Sequence, residues 1–141
     1  MLDKNEELLN EVYKNVKMGG DSIVDLMDKV SDDRFRAEMT DELNAYRRFE
    51  KKAGQALGDR GLKPKEIGTM AKMGAKVGMV MNTMLDTTTS HLAEMMINGA
   101  TMGIIDLEKQ LNDGGDGDAE RLARDVLRYE KETTERLASF L

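Results

Sequence analysis

The sequence predicts an all-α protein, a four-helix bundle with an additional helix crossing between two helical hairpins. Three observations carry this. Helix formers dominate: charged residues make up 34% of the chain, there is one proline, and strand formers never cluster over the length of a strand. Apolar residues recur at i+3/i+4 spacing through most of the sequence. Breaks rich in Gly, Asp, Ser and Thr separate the periodic runs. The 141 residues fit one domain, 1–141, without an internal repeat or a domain boundary.

The first helix is predicted over 3–30, with Leu9, Val12, Val16, Ile23, Met27 and Val30 on its buried face. Gly19 and Gly20 interrupt it. Each glycine costs about 1 kcal/mol relative to alanine in a helix interior, so the pair suggests close packing, a kink, or room for another group. The second helix starts at Ser31 or Asp32, either a good N-cap, and ends near Gly58. Its stripe is Phe35, Met39, Glu42, Tyr46, Phe49, Ala53 and Ala56, which puts Glu42 in a line of core positions. The stretch 58–64, "GDRGLKP", reads as a turn.

A third helix is predicted over 65–85, following Pro64. It is Gly- and Met-rich and locally basic, with Lys63, Lys65, Lys72 and Lys76 opposed only by Glu66. After the break "DTTTS" (86–90), a fourth helix is predicted over 88–112. Leu92, Met96, Gly99, Gly103 and Leu107 lie along one edge, with Met95, Met102 and Ile105 beside them. The linker "NDGGDGD" (112–118) leads into a fifth helix over 119–140, opened by Asp118 and carrying Leu122, Val126, Tyr129, Thr133, Leu137 and Phe140 in register.

Short links make helices one and two one antiparallel hairpin, and helices four and five another. If helices two and four run parallel, the chain must travel the length of the bundle between them. A helix of about 21 residues spans roughly 31 Å, so the 65–85 segment suits a crossover. A simple up-down five-helix bundle is the competing plan.

Composition excludes several functions. With no cysteine there are no disulfides, thiolate metal sites or cysteine nucleophiles. A net charge of −6 argues against a general nucleic-acid binder. The charged, amphipathic segment 1–15 lacks the apolar core of a signal peptide, and no apolar stretch of about 18 residues predicts a membrane span, so a cytoplasmic location is expected. His91 is the only histidine and has no Ser–His–Asp set around it. Read as a calcium loop from Asn112, the linker has Gly117 at the glycine position, but Gly114 takes a ligand position and Ala123 ends the loop, so calcium is not expected.

Two hairpins joined by a long crossover is the ferritin-like plan. The stretches "DDRFRAEMTDELNAYRRFEKKA" (32–53) and "DAERLARDVLRYEKETTERLASFL" (118–141) resemble the second and fourth bundle helices of that superfamily. The first hairpin is similar to small bacterial ferritin-like domains of unknown function. Such proteins hold two metal ions with a Glu on each of two helices and Glu-x-x-His on each of the other two. Glu42 and Glu130 match the glutamates of those two stretches, but Ala45 and Thr133 stand where the histidines belong. The first helix offers Gly20 and Asp21 where a glutamate is expected. The fourth offers His91 and Glu94, in reversed order. At about 1.5 Å per residue, the crossover topology can bring Asp21, Glu42, Glu94 and Glu130 within about one and a half turns of each other.

Each residue also has a plainer reading. Glu42 suits a polar core network or an edge position. Glu130, in the charge-rich "YEKETTER" (129–136), suits a solvated or half-buried salt bridge. His91 and Glu94 suit a surface pair, three residues apart on one helix. The 65–85 helix suits core or crossover packing, contact between copies of the chain, or, less readily, an anionic membrane surface. These readings lead to a non-enzymatic or metal-degenerate ferritin-like bundle, holding no cofactor and acting through homo-oligomer or partner contacts. The alternative is a carboxylate-rich iron or manganese site of Glu42, Glu94, Glu130 and His91, for metal storage or oxidation.

Overall fold

The computed structural model describes residues 3–64 and 84–141. Among them are four helices: α1 (Lys4–Leu26), α2 (Asp33–Asp59), α3 (Thr89–Asp113) and α4 (Gly117–Ala138). The predicted 65–85 helix falls almost wholly outside these residues.

Local chemistry sets the helix ends. The Asp3 carboxylate accepts from the backbone N–H of Glu6 at 2.8 Å, and that of Asp32 from Phe35 at 2.7 Å. Each satisfies a donor that the first helical turn leaves free. The α-helical part of α1 ends at Leu26, and its predicted last residues tighten into a 3₁₀ turn, Met27–Lys29, before the extended Val30. Helix α3 is capped by the Thr88 hydroxyl, which accepts from the His91 backbone N–H. Helix α4 begins two residues earlier than predicted, which places Asp118 in its first turn. Asp116, the residue before α4, is tied to α1. Its carboxylate accepts from Asn5 Nδ2 and its own N–H donates to Asn5 Oδ1, both at 2.8 Å.

That tie, with Lys4 Nζ at 2.6 Å from Asp113, gathers the start of α1, the end of α3 and the start of α4 at one end of the bundle. At the other end, the start of α2 meets the end of α4: Arg34 donates to Ser139, and Arg136 pairs with Glu38 at 3.1 Å. Hence α1 runs with α4, and α2 runs with α3. The chain leaves α2 at one end of the bundle and enters α3 at the other. Both plans read from the sequence share this arrangement.

The core forms where the apolar stripes meet. Leu8, Leu9, Val12, Val16 and Ile23 of α1 face Phe35, Met39 and Leu57 of α2, Leu92, Met96 and Leu107 of α3, and Val126, Leu127 and Leu137 of α4. Edge-on ring pairs join α2 to α4 and the chain end, with Tyr46–Tyr129 centroids 5.9 Å apart and Phe35–Phe140 centroids 5.2 Å apart.

One stripe departs from the sequence reading. On α3 the buried residues are Leu92, Ala93, Met96, Ala100 and Leu107, while Met102 and Ile105 are 61% and 47% exposed. The small Ala93 and Ala100 supply the contact face. The larger Met102 and Ile105 had drawn the predicted stripe towards themselves.

Gly19 does not break α1. Its bare Cα receives the ring of Tyr46: a Cβ at this position would lie 2.9 Å from Tyr46 Cζ. Gly99, mid-helix in α3, has open space around it. Gly99→Ala should therefore stabilise the fold by about 1 kcal/mol through helix propensity. Gly19→Ala should destabilise it by about 1–3 kcal/mol through overpacking. Urea denaturation of the two variants checks the opposite signs.

Candidate functional site

Two glutamates occupy the core. Glu42 lies one turn beyond Met39 and one before Tyr46, so the helical period that buries its neighbours buries it too. It is 0% exposed, and neither carboxyl oxygen receives a hydrogen bond. The one hydrogen bond open to it is one that it donates, as the neutral acid, to Glu38 a turn away. Burial, followed by the bond and charge of Glu38, pushes the Glu42 carboxyl up to about 10. Arg136 pulls the other way, but it is already engaged by Glu38 and by the Thr133 hydroxyl at 3.1 Å. Burial also acts to raise Glu38. The hydrogen bonds from Glu42 and Arg136 more than offset this and hold Glu38 below its ordinary value. The pair thus holds one proton at neutral pH, on Glu42.

Glu130 is the second. It is 1% exposed, and its oxygens also receive no hydrogen bond. The sequence reading of a solvated or half-buried salt bridge is corrected here. The buried line of α4 is Ala119, Ala123, Val126, Glu130, Thr133 and Leu137, in i+3/i+4 register, and Glu130 takes the central place. What admits the carboxyl is Gly103 on α3. A Cβ there would stand 2.5 Å from Glu130 Oε2. Asn15 of α1 borders the same spot, but its amide Nδ2 donates to the Gly103 carbonyl at 3.0 Å. Burial, then the charges of Asp106 and Glu11, push Glu130 up to about 8. One oxygen of Glu11 is likewise buried without a hydrogen bond. Its other oxygen pairs with Lys14 at 3.2 Å.

Tyr46 links the two acids electrostatically. Its hydroxyl is raised well above the usual range by burial first, then by Glu130 and Glu42. Each buried acid has its own acidic neighbours: the half-buried Glu38 beside Glu42, and the half-buried Glu11 of α1 and exposed Asp106 of α3 around Glu130.

The other predicted site residues lie elsewhere. His91 is half-buried in the first turn of α3, where its backbone N–H donates to the Thr88 hydroxyl, and Glu94 is exposed. Asp21 faces outward and pairs with Arg47 at 2.9 Å and Lys17 at 3.3 Å. Of Glu42, Glu94, Glu130 and His91, the fold buries only Glu42 and Glu130. Among the described residues, no group of three or more His, Asp or Glu side chains is placed to hold a metal ion. Glu11, Glu38 and Asn15 were missed by sequence reasoning. The first two sit in polar surroundings without an apolar stripe to flag them. Glu11 stands immediately before Val12 of the buried stripe, which is the one available signal.

The fit of Glu130 over Gly103 can be tested. Gly103→Ala should cost about 1–3 kcal/mol by overpacking. Adding Glu130→Ala should recover part of that loss, because the colliding carboxyl is gone. A double-mutant cycle in urea checks the coupling, and strictly additive effects would refute the contact. Among known proteins, no family model and no curated sequence matches this chain.

Proposed function

We propose that the chain is a ferritin-like bundle whose metal centre is degenerate, and that it works without catalysis through contacts with protein partners or further copies of itself. The observation that carries this reading is the division of the core acids. Glu42 and Glu130 are buried, each acted on by a different set of neighbouring acids, while Glu94 is exposed and His91 half-buried. A paired-metal centre needs carboxylates and imidazoles facing one shared space. The parallel course of α2 and α3 agrees with the crossover plan, as it does with the up-down plan.

Two stretches suit the contacts. One is the segment 65–85, basic and rich in Gly and Met in its sequence. The other is the outer side of α3, where Met102 and Ile105 stand exposed three residues apart. A membrane-spanning role gains no support, since no described helix is long and apolar enough to cross a bilayer.

Metal analysis and mass in solution test this reading together. Protein purified without chelator, and again after anaerobic loading with ferrous iron or manganese, should hold far less than one ion per chain. Stoichiometric uptake abolished by Glu42→Gln or Glu130→Gln would overturn the degenerate reading in favour of a carboxylate metal site. Sedimentation equilibrium should show a mass above that of one chain, reduced by Met102→Lys with Ile105→Lys. A strict monomer at high concentration would refute self-association.

A further inference from the structure

The outer side of α3 carries more than its two exposed apolar residues. The buried line of the helix is Leu92, Ala93, Met96, Ala100 and Leu107. On the opposite side Glu94, Asn98, Met102, Ile105 and Lys109 are all exposed. They follow one another at intervals of three or four residues, so they form a single stripe along the helix. Met102 and Ile105 lie in its middle, and Glu94 and Lys109 mark its ends. Neither of these two charged side chains has an ion pair among the described residues. Gly99, one turn before Met102, is exposed, and a Cβ there would meet nothing within 4 Å. A glycine in a helix interior costs about 1 kcal/mol relative to alanine, and no neighbour among the described residues calls for this one.

Opposite charges at the two ends of a stripe give it a direction. Glu94 precedes Met102 by two turns and Lys109 follows it by two, which is roughly 11 Å to either side. A second α3 laid parallel to the first would set Glu94 against Glu94 and Lys109 against Lys109. Laid antiparallel, it sets each Glu94 against the Lys109 of the other copy.

We infer that α3 pairs with the α3 of a second copy of this chain, antiparallel about a two-fold axis beside Met102, an inference that rests on the reading of the outer side of α3 as a contact surface. Met102 meets its counterpart at the axis, with Ile105 of each copy one turn away. Two Glu94–Lys109 pairs close the ends of the contact. Gly99 leaves the backbone bare beside Met102, which lets the two helices come close. The apolar residues supply the attraction, and the charges select the direction. Because the contact is two-fold, the same patch serves both copies and the assembly closes at two chains.

Sedimentation equilibrium of the full chain, with charge reversal, tests this. The unaltered chain should approach the mass of two chains as concentration rises. Glu94→Lys or Lys109→Glu alone brings like charges together at both ends of the contact and should raise the dissociation constant about tenfold. The two variants change the net charge in opposite directions, so a weakening shared by both cannot come from net charge. The double variant restores opposite charges and should return the dissociation constant to near its unaltered value. A mixture of the two single variants should pair more tightly than either does alone. Both side chains are exposed, so the single chain should keep its fold in every variant. Pairing that is indifferent to the reversals, or a double variant no tighter than the singles, would overturn the antiparallel contact and leave self-association standing. A strict monomer at high concentration would refute self-association through any surface, this contact included.

Discussion

The desolvation of two carboxyls governs the interior of this bundle. An ionised carboxylate removed from water, with neither a cation nor a donor to face, is too costly to persist, so it changes protonation state instead. No hydrogen bond reaches Glu42 or Glu130, Arg136 acts on Glu42 only while engaged by Glu38, and the surroundings of both accommodate neutral acids. Glu42 hands its one hydrogen bond to Glu38, whose negative charge Arg136 balances at the bundle's edge. Glu130 fits only because Gly103 leaves a side chain's space for it. Tyr46, settled into the gap left by Gly19, fills the core beside both. Small residues and large ones are thus placed in answer to the acids, and the apolar core closes around them.

The rest of the architecture depends less on charge than its many ion pairs suggest. Pairs such as Lys4–Asp113 and Arg128–Asp125 are solvent-exposed, and such contacts each contribute about 0–1 kcal/mol. Their value is geometric. The Asn5–Asp116 exchange, made by groups on the loop side of α4 and the first turn of α1, fixes which ends of these helices coincide. The Arg136–Glu38 contact does the same at the opposite end. With both ends registered, α4 can rotate little about its axis, and Glu130 is turned inward rather than out to water.

Much of this was legible in the sequence because helices announce themselves by period. The four described helices appear where the i+3/i+4 stripes place them, with Asp32 as the predicted cap of the second. Glu42 was legible too, since Met39 and Tyr46 bracket it in one line. Glu130 was harder to see. Its flanks are charged, and the neighbouring Tyr129 is the conspicuous apolar partner. Its burial depends on Gly103, twenty-seven positions earlier, a relation no single-helix pattern contains. The outward turn of Met102 and Ile105 was missed for a related reason. Periodicity weighs residues by hydrophobicity, whereas α3 packs through Ala93 and Ala100, where closeness matters more than side-chain size. Counting residues along helices fixes height but not face: the fold turns Glu42 and Glu130 inward and leaves Glu94 exposed and His91 half-buried.

Buried acids without partners are not explained by stability. A glutamine of the same shape at either position would avoid the cost of ionisation, and well-packed apolar residues often replace buried charges without loss. A core optimised only for stability would be free of them. Perturbed, desolvated carboxyls concentrate where a protein has to do something with a proton or a cation. In this chain Glu42 takes a central place on the buried line of α2 and Glu130 on that of α4.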